Sequence, residues 1–178
     1  MNAAKEKIVM DKEEISLALK RIAREIVETN KGAKDIVLIG ILNRGLPLAK
    51  RISAIIEASE KVKIPVGSLD VSLHRDDIRK KGSEIEVKRS DMPFSIDGKI
   101  VIFVDDVIYA GRTIRAAMDG LADYGRAAKV QLVALVDRGH RELPIHPDYI
   151  GKKISTSSDE NVFVNISEID GVDKTVIK

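Results

Sequence analysis

The chain has 178 residues, of which 44% are hydrophobic, 33% are charged and none is cysteine. This is enough apolar material for one well-buried core over residues 1–178, and the missing thiols exclude disulfides and thiolate metal centres. The net charge of +2 excludes a general attraction to nucleic acid, and no apolar run approaches the roughly 20 residues of a membrane span, so a cytoplasmic protein with neither membrane nor DNA as partner is expected.

In chain order, EEISLALKRIAREIVET (13–29) sets Ile15, Leu19, Ile22 and Ile26 on one helical face, and Asn30, Lys31 and Gly32 supply its stop. DIVLIG (35–40) is a β-branched run of the kind buried on both faces of a sheet. ILNRG then leads into LPLAKRISAIIEAS, a helix with Pro47 in its first turn and Leu48, Ile52, Ile55 and Ile56 at helical spacing. KIPVGSLDVSLHRDD (63–77) alternates as a strand that leaves the core near His74. The charged stretch after it has little periodicity and reads as a long mobile loop or β-arm. GKIVIFVDD repeats the buried-strand pattern. TIRAAMDGLADYG follows as a helix with Ile114, Ala117, Met118, Leu121 and Ala122 inward and Gly125 as its cap. KVQLVALVD (129–137) is a third buried strand, and NVFVNI a short one in the tail. The alternation predicts an α/β fold, a mainly parallel central sheet flanked by helices, with functional loops at the carboxyl ends of the strands.

The chemistry concentrates in VIFVDDVIYAGRT (101–113). Asp105 and Asp106 end a strand, and Gly111 permits a turn whose successive N–H groups meet a helix start, a ready site for a monophosphate. Two carboxylates upstream repel a second phosphate but accept from vicinal hydroxyls, so a sugar phosphate suits both halves. An acidic turn that merely caps strand and helix is the competing reading. The motif is neither GxxxxGK[ST] nor GxGxxG.

An apolar strand, two acids and a loop ending Gly-x-Thr closely resemble the phosphoribosyl pyrophosphate (PRPP) motif of type I phosphoribosyltransferases. GILNRG, DVSLHRDD, LVDRGHRELPI and DYIGK are similar to segments of one subfamily, the bifunctional PyrR proteins, and the match runs from about Val9 to the end. The resemblance implies that family's fold, with a small hood and a flexible β-arm. It implies that Asp105 and Asp106 bind the ribose hydroxyls while Val107, Ile108, Tyr109, Ala110, Gly111, Arg112 and Thr113 wrap the 5-phosphate. Asn43 and Arg44 of ILNRG correspond to the pyrophosphate loop, in which the peptide before the arginine can be cis. Catalysis would then rest on Arg44, Asp105 and Asp106, with Mg²⁺ carried by PRPP near the two aspartates. Residues from His74 to Arg89, including Arg75, Arg79, Lys80 and Lys81, would form a lid. Asp137, Arg138, Gly139 and His140 would line a uracil pocket. Ala110 stands where the motif usually has Thr, removing one hydroxyl contact. Tyr109 stands where purine enzymes carry an aspartate, which argues against a purine substrate.

The same subfamily regulates pyrimidine operons by binding messenger RNA, which implies the pyr mRNA leader as a partner and UMP or UTP as effector. Lys20, Arg21 and Arg24 lie opposite the apolar face of the first helix, and Arg141, His146, Lys152 and Lys153 add positive charge in the tail. The plain alternative is a solvated face with Arg21–Glu25 and Arg24–Glu28 pairs. Because the two groups are far apart in sequence, a continuous basic surface is expected in a homodimer or higher homo-oligomer. Three readings stay open: a regulator that also makes UMP from uracil and PRPP, a salvage enzyme without RNA, and an RNA-binding nucleotide sensor with little catalysis.

Overall fold

The computed structural model describes residues 6–72 and 89–178; the expected arm and the lid residues His74, Arg75, Arg79, Lys80 and Lys81 lie outside the described residues. In chain order the elements are β1 (Lys7–Met10), α1 (Lys12–Thr29), β2 (Ile36–Ile41), α2 (Gly45–Glu60), β3 (Val66–Leu69), β4 (Ile100–Ile108), α3 (Arg112–Leu121), β5 (Lys129–Asp137), β6 (Tyr149–Lys153), β7 (Val162–Asn165), α4 (Ser167–Asp170) and β8 (Lys174–Ile177). The main sheet has the order β3-β2-β4-β5-β6, and all its pairings are parallel.

Both faces of this sheet are covered, which is why its central strands read as unbroken apolar runs. Leu38, Ile102, Val104, Val133 and Leu135 face α1 and α2. Val37, Ile39, Val101, Phe103, Leu132 and Ala134 face α3. α1 starts with a reciprocal capping box: the Asp11 side chain accepts from the Glu14 N–H, and Glu14 from that of Asp11. Its buried stripe is Ile15, Leu19, Ile22 and Ile26, as its periodicity predicts.

α3 differs from its expected face. Ile114, Ala117 and Leu121 are buried, but Met118 is 41% exposed and Ala122 begins a separate 3-10 turn. The packed side is rotated toward Ala116 and Gly120, small residues that bring the helix close to the sheet. A second, antiparallel sheet of order β1-β8-β7 forms the hood. Its Val164, its neighbour Ile166 and Met10 of β1 join the same core as α1 and α2. Among the described residues no helix is long and apolar enough to cross a membrane.

Along the sheet, the chain leaves β2 for β3 on one side and returns to β4 on the other. The loops after β2 and β4 therefore diverge from adjacent strand ends. An open parallel sheet binds its ligands in the crevice at that switch point. ILNRG and DDVIYAGRT are the two loops that leave it.

Candidate functional site

At the end of β4, Asp105 is 7% exposed, and its Oδ1 accepts from the Asp106 N–H at 3.0 Å. Asp106 Oδ1 in turn accepts from the Val107 N–H at 2.8 Å. Burial pushes the Asp106 carboxyl above its usual value, and the Val107 N–H and the Arg44 charge only partly offset this. Beyond the strand, Gly111 adopts φ +93° at the N-terminal cap of α3. Tyr109 through Thr113, with Asp105 and Glu142, enclose a recess of 260 Å³. The phosphate-loop residues expected from the sequence thus share one concave site, with a helix N-terminus at its base.

A second recess of 330 Å³ adjoins it and is lined by Asn43, Arg44, Ser72, Asp105, Asp106 and Thr113. Asp105, Val107 and Thr113 border both. The loop between β2 and α2 is clamped at each end. A Cβ on Gly40 would lie 2.3 Å from the Leu46 Cα, and one on Gly45 would lie 2.1 Å from the Val104 carbonyl oxygen. The non-proline cis peptide is Leu42–Asn43, one residue before the bond at which the family resemblance allows one. Arg44 borders the recess, but its guanidinium forks onto Asp170 of α4, at 2.8 and 3.1 Å, rather than facing an open leaving-group position. Asp170 is well placed for this because it also accepts from the Ile166 N–H at 2.9 Å. The pairing holds Arg44 above and Asp170 below its ordinary pKa.

At the end of β5, the side chains expected to contact uracil are largely engaged by the protein. Asp137 accepts from the Gly139 N–H at 2.9 Å and pairs with Arg141 at 2.8 Å. Arg138, 7% exposed, donates to Thr156 Oγ1 and to the carbonyls of Ser157 and Glu160, and its guanidinium lies 4.4 Å from the Tyr109 ring centroid. His140 has φ +55° and its Nε2 donates to the Thr156 carbonyl at 2.7 Å. In the backbone of 138–140, the Arg138 and Gly139 N–H groups and the Gly139 carbonyl are also engaged within the protein.

The basic residues separate into three places. Lys20 and Arg24 line a groove between α1 and α2. Arg21 pairs with Glu25 at 3.1 Å and donates to the carbonyls of Ile150 and Gly151, while Lys152 donates to the Val9 carbonyl and Glu14. α1 and β6 therefore meet, and these two cations share a surface within one chain. His146 is exposed, whereas the Arg141 side chain is only 12% exposed and donates to the carbonyls of Tyr109, Gly139 and Ile145.

Two site residues were not singled out by sequence. Glu142, which pairs with Arg112 at 2.7 Å, stood inside RGHRELPI beside residues that were chosen. Asp170 carries no local signal, because its partner Arg44 is 126 positions away.

Residues 7–168 match the model of the phosphoribosyl transferase domain family. "Bifunctional protein PyrR" of Chloroflexus aurantiacus is 52% identical over 172 residues, 97% of this chain and 94% of that protein. The protein of the same name from Thermoanaerobacter sp. is 54% identical over 95% of each chain. Among solved structures, hypoxanthine phosphoribosyltransferase of Trypanosoma cruzi superposes with a TM-score of 0.74 at 21% identity, over 96% of this chain and 94% of that one. That of Staphylococcus aureus gives 0.70 at 21%, over 93% and 86%. At such identities these structures share the fold.

Proposed function

The chain belongs to the phosphoribosyl transferase domain family and, within it, to the bifunctional PyrR proteins, and from that premise we propose that it transfers phosphoribosyl from PRPP to uracil and binds the pyr mRNA leader when a uridine nucleotide fills the same site. The observation that carries the enzymatic half is the meeting of two recesses on Asp105 at the switch point of the sheet. One has the shape and backbone donors of a monophosphate site. The other opens toward Asn43 and Arg44, where a diphosphate leaving group fits.

In this arrangement Asp105 and Asp106 accept from the ribose hydroxyls, and Tyr109 through Thr113 hold the 5-phosphate. Uracil lies against the 138–140 backbone. The C1′–O bond to diphosphate breaks with its electron pair leaving on oxygen, the C1′–N1 bond forms, and the proton of uracil N1 passes to solvent. Positive charge developing on the ribose favours the nearby carboxylates. Arg44 becomes available to diphosphate as its fork with Asp170 opens.

Among the described residues no three His, Cys, Asp or Glu side chains are grouped to hold a metal. A pair of carboxylates nevertheless fits a hard cation that takes its other ligands from the substrate, so Asp105 and Asp106 would be the protein-side donors to a Mg²⁺ carried by PRPP. When bound, such an ion would supply positive charge to offset that of the diphosphate.

Lys20, Arg24 and the Arg21–Lys152 surface supply phosphate contacts for RNA, and a second copy of the chain extends that surface as a homodimer or higher oligomer. Both substrates and transcript place the protein in the cytoplasm. The deciding experiment has two arms. Purified protein with labelled uracil, PRPP and Mg²⁺ is expected to form UMP, and no UMP overturns the enzymatic half. A gel shift with pyr leader RNA is expected to tighten when UMP is added, and an affinity indifferent to UMP overturns the regulatory half.

A further inference from the structure

The loop that follows β5 backs onto the phosphate loop along its whole length. The Arg138 N–H donates to the Ile108 carbonyl at 3.2 Å, Arg141 Nη1 to the Tyr109 carbonyl at 2.9 Å, and the Glu142 and Leu143 N–H groups to the Ala110 carbonyl at 3.0 and 3.1 Å. In a trans peptide the C=O and N–H point in opposite directions. Pinning the Tyr109 and Ala110 carbonyls from behind therefore turns the N–H groups of Ala110 and Gly111 the other way, toward the recess that the loop encloses. The side chain at 110 is only a methyl, so these N–H groups are what that position offers a phosphate.

Arg141 is the one side chain in this set of contacts, and its geometry is specific. Nε donates to the Ile145 carbonyl at 2.8 Å and Nη1 to those of Tyr109 and Gly139, while Nη2 pairs with Asp137 at 2.8 Å. Four donor contacts from one planar group span the turn, which a lysine's single ammonium cannot reproduce. Asp137 sits at the end of β5, 8% exposed, and its second contact, from the Gly139 N–H, fixes the carboxylate that aims the guanidinium.

We propose that Arg141, oriented by Asp137, is a positioning residue that sets the direction of the phosphate-loop amides, and that it serves nucleotide and PRPP binding rather than direct contact with RNA. The inference rests on the 109–113 loop being the phosphate site. It is tested with Arg141→Lys and, since that variant can fail to fold, with Asp137→Asn, which keeps the shape of the acid and its acceptor for Gly139. The readouts are the KM values for PRPP and uracil, kcat, the affinity for UMP by calorimetry, and the affinity for pyr leader RNA without nucleotide.

Misplaced binding groups cost up to roughly 10²-fold, so the KM for PRPP and the Kd for UMP are expected to rise about tenfold or more in a folded variant. Nucleotide-free RNA affinity is expected to stay at its wild-type value. PRPP and UMP binding unchanged in either folded variant overturns the proposal. So does a drop in kcat alone that tracks the folded fraction, or a loss of RNA affinity with UMP binding intact. Failure of the wild-type protein itself to bind UMP removes the underlying phosphate-site reading, an outcome distinct from the variants matching a wild type that does bind.

Discussion

Asp106 shows how a single residue trades stability for function. Its carboxyl is pushed up by burial, so the folded state holds that proton more tightly than the unfolded chain, whose aspartates titrate near ~3.9. Stability from this group is present at low pH and is lost as pH rises from that value through the raised folded pKa. At neutral pH the ionised form is thus a cost to folding that substrate hydroxyls, or a cation brought with them, offset. Asp106→Asn keeps an oxygen for the Val107 N–H and removes the charge. It is expected to melt higher than wild type at pH 7, with about 2–4 °C for each kcal/mol gained, and the two melting curves should converge below about pH 4. Its kcat/KM should fall by roughly 10²-fold. A variant that melts no higher at pH 7 would show that the acid is not paying this cost.

At the level of elements, the hood is fastened to α2 by two arginines. Arg44 grips Asp170, and Arg51 grips Glu168, Asp173 and Ser167 Oγ. Arg51 lowers the Glu168 carboxyl; Asp173, although burial opposes it, is lowered by Arg51 and the Ser167 N–H. For acids lowered on folding, the stabilisation is present above the unfolded pKa and disappears as pH falls through the folded one. Arg51→Ala should cost roughly 1–3 kcal/mol in a urea titration at pH 7, the upper part discounted because Glu168 is partly solvated. The difference should shrink below about pH 4. An equal loss at both pH values would place the effect in packing of the arginine stem.

This fastening also marks the limit of what the sequence discloses. β2, β4 and β5 were legible because strands buried on both faces leave no polar interruptions. Of the hood only β7 was legible, as NVFVNI; β1 and β8 were not, since they have four residues each and pair across the length of the chain, as Lys7 does with Ile177. In the site, paired acids and a glycine turn announce themselves by residue type. The destination of Arg141 does not, because three of its acceptors are backbone carbonyls, which every residue has.

Across the whole molecule, the basic residues are distributed by the contact of α1 with β6 rather than by oligomerisation alone. Arg21 and Lys152 lie on one surface of a single chain, so part of the continuous basic surface expected of a dimer is already formed within one copy. Arg21 is tethered there by two β6 carbonyls, leaving Lys20 and Arg24 as cations on the neighbouring groove. If both contact RNA phosphates, replacing them with Ala should reduce the slope of log affinity against log salt by about two, and weaken binding regardless of loop sequence. A slope equal to wild type would move the RNA to another face.

The glycines that flank the loop after β2 carry a mechanical consequence. Gly40 presses on Leu46, and Gly45 on the Val104 carbonyl, so neither end of the loop has a side chain's width of travel. A diphosphate bound at Asn43 and Arg44, as proposed, would find a bridge with immovable abutments. Its peptide planes can swing about the axis joining those abutments, as a crankshaft turns between fixed bearings, while the loop as a body stays where it is. Recognition there would then be a matter of rotation, and the sheet beneath it need not move.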